Sequence, residues 1–223
     1  MRTENNEGGG TSVILVAGDD LGKVPKSHRM LVTPQLREAF ANPTLYLRRV
    51  AERCPFPSMA LWLRSLIAAN QWELALHRGV PPEWIAAGIA SWSDDVRNAE
   101  ITPASGPVAL SLPAALKQYY SLVDRVSWMP FGCAGHLEGG TNHPPLTTFH
   151  YTYHGADIDP ARTFVFGWSP GGDMLIYTED GRGGWLCHEN GKIHLLGSVE
   201  ATIDWIYAEL QADRCPDFDH GWA

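Results

Sequence analysis

The side chains best suited to chemistry in this 223-residue chain gather in its second half. Cys133, His136 and His143, with His150 and His154 beyond them, are the thiolate and imidazole types that bind zinc. The paired C-x2-C or H-x3-H arrangement of zinc motifs is missing, so the run reads as histidines scattered in a polar loop, and no metal is expected. Cys187 and His188 are the right types for a thiolate–imidazole dyad. Adjacent side chains of a strand point to opposite faces, so these two should not meet. Asp173, Glu179, Asp180 and Glu189 supply carboxylates of the kind glycosidases use in pairs. No sugar-binding aromatic arrangement accompanies them, and they read instead as an acidic rim facing solvent or a partner. Gly171-Gly172 and Gly183-Gly184 lack the strand-to-helix context of a phosphate-binding loop. Trp168 and Trp185 read as core by default, and as partner anchors if partly exposed beside the acidic turns. No catalytic residue and no cofactor emerges from this inventory.

The elements that must position these groups follow from patterning. From Thr163 to Leu210, four short apolar or aromatic runs separated by Gly-rich turns lead into an amphipathic helix. That is the pattern of an antiparallel sheet with a helix laid against it. In the closing helix Ser198 is an N-cap, Glu200 suits the positive end, and Val199, Ile203, Ile206 and Leu210 form a buried stripe. Leu112-Pro113 opens another helix, with Leu116, Tyr119 or Tyr120 and Val123 on one side. Val126–Phe131 and Thr147–Tyr153 read as strands. The Gly-rich run 132–146 between them is long enough to be a binding loop.

The first half reads differently. After a polar, flexible segment over 1–32 with a possible short strand at Ser12–Ala17, residues 33–100 show helical spacing. Thr33-Pro34 and Asn42-Pro43 each set an N-cap before a proline at the first helical position. Gln71–His77 reads as a helical continuation. Pro82 opens a further helix through Trp92, with Ile85, Ile89 and Trp92 at steps of four and three. Residues 94–111 read as a linker. The expected architecture is α+β, with a helical N-terminal region followed by an antiparallel sheet with flanking helices over 106–223.

Charge divides at the same place. Residues 1–105 carry 11 Lys/Arg against 11 Asp/Glu, whereas 106–223 carry 6 against 14, so the second half holds the entire net charge of −8. A phosphate backbone would be repelled there, which argues against nucleic acid, while a basic protein would be attracted. No apolar run approaches the roughly 18 residues of a membrane span, and no signal peptide is legible, so a cytoplasmic location is expected. Four widely spaced cysteines read as free thiols.

Residues 106–211 resemble the SUKH superfamily, also called the SMI1/KNR4-like fold. Leu112, Pro113, Leu116 and Tyr119 match its opening helix. Phe164–Trp168 and Gly171-Gly172-Asp173-Met174-Leu175-Ile176 match its aromatic strand, Gly-Gly-Asp turn and apolar strand. Val199–Ile206 matches its closing helix. The extra N-terminal region and the long loop 132–146 depart from the family pattern. The resemblance implies a binding module rather than an enzyme. Bacterial members are largely immunity proteins that neutralise the toxins of polymorphic or secreted toxin systems, many of them basic nucleases. The expectation is a cognate toxin as partner, bound through Trp168, Asp173, Glu179, Asp180, Trp185 and Glu189. A regulatory or scaffold role without a toxin, and a metal-dependent hydrolase using the 132–154 His-rich loop, are the alternatives.

Overall fold

The computed structural model describes residues 1–5, 11–16, 20–69, 71–78, 85–93, 96–104, 108, 111–128, 135–137, 143–150, 152–169, 171–212 and 214. Strands come first: β1 (Arg2–Asn5) and β2 (Thr11–Val16) form a hairpin, with Arg2 opposite Ile14. Three helices follow, α1 (Pro34–Ala41), α2 (Pro43–Arg53) and α3 (Pro57–Leu66). The first two start where their caps predict. Thr33 Oγ1 accepts the Leu36 N–H at 3.1 Å and Asn42 Oδ1 accepts the Leu45 N–H at 3.0 Å. The third has no cap of its own. Its Ser58 N–H donates to Asp204 Oδ1 at 2.8 Å, a carboxylate from the far end of the chain. A helix start needs an acceptor, and here tertiary packing supplies one.

Beyond Leu66 the helical expectation fails. Residues 71–78, 85–93 and 96–103 are strands β3 (Gln71–Arg78), β4 (Ile85–Ser93) and β5 (Val96–Pro103). Trp72, Leu74 and Leu76 alternate into the core, a period of two that competes with the helical reading. Gly88 in mid-segment disfavours a helix, and pairing decides the outcome: β3 bonds β2 on one side and β4 along eight residues on the other. The strand β5 also occupies the expected linker and pairs with β4 and with β6 (Val123–Trp128), so the sheet runs on through it.

The second half is α4 (Ala114–Tyr120), β6, β7 (Gly135–Leu137), β8 (Thr163–Trp168), β9 (Met174–Thr178), β10 (Arg182–Leu186), β11 (Ile193–Ser198) and α5 (Val199–Gln211). Among the described residues eleven strands pair antiparallel in chain order, which makes the fold α+β. Residues 147–153, expected as a strand, instead contain a 3-10 turn at Leu146–Thr148. The Tyr153 hydroxyl sits 2.7 Å from both the Leu146 and the Phe149 carbonyl oxygens and closes this segment on itself.

Strand alternation then separates two cores. One face, with Leu15, Leu74, Ile101, Val126, Phe166, Leu175 and Trp185, packs against the five helices. The other, with Val165, Met174, Ile176, Leu186 and Ile193, is covered by Leu146, Phe149, Tyr153 and Ile158. The closing helix follows its sequence pattern: Ser198 Oγ accepts the Ala201 N–H at 3.2 Å, and Val199, Ile203, Ile206 and Leu210 are buried. It also carries Tyr207, whose hydroxyl lies 2.8 Å from that of Tyr119 of α4, both fully buried.

Candidate partner-binding surface

The six residues expected to face a partner do not share a surface. Trp168 stands opposite Met174 and Trp185 opposite Leu175, and successive residues of β9 point to opposite faces. Trp185 is therefore in the helix-side core, 3% exposed, stacked on His194 (4.8 Å between centroids, 13°) and on Trp205 (5.6 Å, 15°). Trp168 is half-buried on the other face, edge-on to Phe149 at 5.5 Å. Asp173 is fully buried. Its Oδ1 accepts the backbone N–H of His188 and the ring Nδ1–H of the same residue, both at 2.9 Å. It ties the β8–β9 turn to the β10–β11 turn and reaches no partner. Glu189 is exposed, but it sits at the opposite end of β9 and β10 from Glu179 and Asp180, roughly 17 Å away for strands of this length.

What does assemble is the Glu179–Asp180 end. The Glu179 N–H donates to the Arg162 carbonyl at 2.9 Å, the Val199 N–H to the Gly181 carbonyl at 3.1 Å, and Arg182 Nη1 to the Asp157 carbonyl at 3.1 Å. Three segments distant in sequence are thereby sewn together, and Asp157, Asp159 and Glu200 join Glu179 and Asp180, all exposed. Two guanidiniums sit among these five carboxylates: Arg162 pairs with Glu179, and Arg182 with Asp180 at 3.0 Å. The rim stays net acidic. The Thr178 hydroxyl first, and Arg182 second, hold the Asp180 carboxyl below the usual carboxylate range, so its charge is kept in mildly acidic solution. No local signal in the sequence marked Asp157, Asp159 or Glu200 as members, because only the turn-to-turn hydrogen bonds bring them here.

A further tryptophan packs on Trp185 from α5. Trp205 of α5, half-buried against Trp185, lies about one and a half turns along the helix from Glu200 and carries Glu209 one turn on. His194 closes the other contact of Trp185 on the edge strand β11. Burial first, and Lys192 second, hold the His194 pKa below the ordinary imidazole value, against the opposing pull of Asp173. In the unfolded chain this ring titrates near 6.5. The unfolded state therefore takes up the proton first. The contribution is full above about pH 6.5 and is lost as pH falls through the lower folded value. The urea midpoint is expected to drop between about pH 7.5 and about pH 5.5, and part of that drop should vanish in His194→Phe, which keeps a stacked ring. An unchanged pH profile in that variant would exclude His194 as a contributor.

Of the histidine run, Cys133 and the His136 side chain lie outside the described residues. His143 has both ring nitrogens engaged, Nε2 with the Tyr120 hydroxyl at 2.8 Å and Nδ1 with that of Tyr177 at 3.2 Å. Burial pushes the Tyr177 hydroxyl up to about 12, so it stays a neutral partner. Among the described residues no group of three or more His, Cys, Asp or Glu is placed to hold a metal ion. Cys187 is buried while His188 turns to Asp173, so the two do not form a dyad. Asp20 caps a turn, its Oδ1 accepting the Gly22 N–H at 2.8 Å.

Comparison with protein-family models, with curated proteins and with solved structures finds no match for this chain. No helix among the described residues is long and apolar enough to cross a membrane.

Proposed function

We propose that this protein binds and neutralises a cognate bacterial toxin, a basic protein such as a nuclease, by covering it, with no chemistry of its own. The observation that carries the reading is the acidic rim: Asp157, Asp159, Glu179, Asp180 and Glu200, exposed together at one end of the sheet. Complementary potential speeds encounter with a basic partner and discourages wrong ones. An opening helix α4, antiparallel strands that include the aromatic β8 and apolar β9, and a closing helix α5 are consistent with the resemblance to the SUKH superfamily, which adds support. Affinity requires an apolar anchor as well as charge, and Trp205, on the same helix as Glu200, is of the residue type that most often fills this role. A cytoplasmic site of action fits the same reading.

The test is capture of a partner from the native organism at low and at high salt, repeated with Glu179→Lys/Asp180→Lys/Glu200→Lys. The expected result is a basic toxin retained at low salt, with its association rate cut about tenfold or more by the triple reversal and Trp205→Ala acting mainly on dissociation. Capture of no toxin by the unaltered protein would overturn the function. Capture of a toxin indifferent to the triple reversal would overturn the assigned surface.

A further inference from the structure

A concave surface on the helix side has no part in the acidic rim. A cavity of about 210 Å³ opens where α1, α2, the end of β5 and the turn after α4 meet. Its buried lining is apolar, Val50, Pro103 and Leu122, and serves as its floor. Tyr46 of α2 walls one side, and its hydroxyl donates to the Leu122 carbonyl at 3.4 Å, joining the helix to the turn. Burial pushes that phenol well above its ordinary range, so it is a neutral wall rather than a base.

The mouth is charged. Arg49 and Arg53 are four apart on α2 and so share one side of the helix. Arg49 Nη1 donates to Glu38 Oε1 of α1 at 2.9 Å, so that one guanidinium of the lining is already neutralised. Arg53, also at the mouth, has no ion-pair partner among the described residues. A cation in the last turn of a helix is favoured by the helix dipole whatever else it does. That preference explains Arg53 on α2, but not an apolar recess beneath it.

We propose that this cavity binds a small organic monocarboxylate, its apolar body on Val50, Pro103 and Leu122 and its carboxylate on the Arg53 guanidinium. The mouth has one uncompensated positive charge, which suits a single negative charge. A guanidinium holds a carboxylate through two parallel N–H···O bonds. Inorganic phosphate would match the charge but leave the apolar floor wet. The volume is below the usual 300–1,000 Å³ of drug-sized sites, so the ligand is about the size of benzoate. The site is on a different part of the molecule from the acidic rim and does not depend on the toxin reading.

Benzoate titrated into the full chain, followed by amide chemical shifts, tests this. The expected result is saturable binding with shifts concentrated at Arg53, Ser121 and Leu122. Arg53→Ala should weaken it about tenfold or more, and Arg53→Lys less, because a lysine keeps the charge but loses the bidentate geometry. Arg53 is exposed, so an unchanged melting temperature in these variants shows that folding is intact. Benzyl alcohol, which keeps the ring and lacks the charge, should bind at least tenfold more weakly than benzoate, on the order of the loss in Arg53→Ala. Shifts that never saturate, inorganic phosphate binding as well as benzoate, or Arg53→Ala binding unchanged would each overturn the proposal.

Discussion

Gly184→Ala is expected to destabilise the protein by about 3 kcal/mol or more, a large fraction of a domain's total stability. A Cβ at Gly184 would lie 2.0 Å from the His194 carbonyl oxygen and 2.9 Å from its carbon. Those atoms belong to the backbone of the neighbouring strand β11, so no side-chain rotation relieves the clash. The pair sits at a register shift between Gly183 and Gly184, where the bulge presses the two chains together. Separating them would unstack Trp185 from His194 and loosen α5, which follows β11 directly. Gly181 is the control. It has φ +89°, but a Cβ added there would meet nothing within 4 Å, so Gly181→Ala should cost only about 1–2 kcal/mol of left-handed strain. Urea denaturation of the two variants measures the difference. A Gly184→Ala protein as stable as Gly181→Ala would show that the close approach is not there.

Asp173→Ala should cost about 3 kcal/mol, more than Asp173→Asn or His188→Ala. Two effects oppose each other at this buried carboxylate. Oδ1 accepts two hydrogen bonds from His188, and hydrogen bonds to a charged group contribute about 1.5–3 kcal/mol each. Oδ2 is buried with no partner among the described residues, which is a desolvation cost the protein carries. The bonds win for two reasons. Truncation would strand the backbone N–H of His188, and it would also release the β8–β9 turn from the β10–β11 turn. Asp173→Asn keeps an acceptor for that N–H and should recover part of the loss. Thermal melts of the three variants rank them, and an Asp173→Ala protein more stable than the original would mean that burying the charge dominates.

Local chemistry made the helix starts at Thr33, Asn42 and Ser198 legible, because a cap and the residues it serves lie within one turn of each other. The buried stripe of α5 was legible for the same reason. The segments 71–78 and 85–93 misled because Trp72 and Leu76 on one hand, and Ile85 and Ile89 on the other, stand four apart and so satisfy a helical and a strand period alike. Choosing between periods needs the neighbouring strand, and β2, the first neighbour of β3, precedes it by three helices.

The sequence by itself determined an α+β chain and an acidic second half, since each rests on composition or on local pattern. It placed Glu179 and Asp180 on an exposed turn. Cys187 and His188, read as strand neighbours, lie instead in the turn after β10, where His188 bonds Asp173. Only the tertiary structure decided which charges stand beside them, because Asp157, Asp159 and Glu200 arrive by hydrogen bonds between distant segments. Only the tertiary structure decided the tryptophans as well. The extra residue in β8 between Val165 and Gly167 sets which side Trp168 takes, and one residue of register exchanges the two faces of a sheet. Trp185 is sealed beneath α5, where Trp205 stacks on it from the helix.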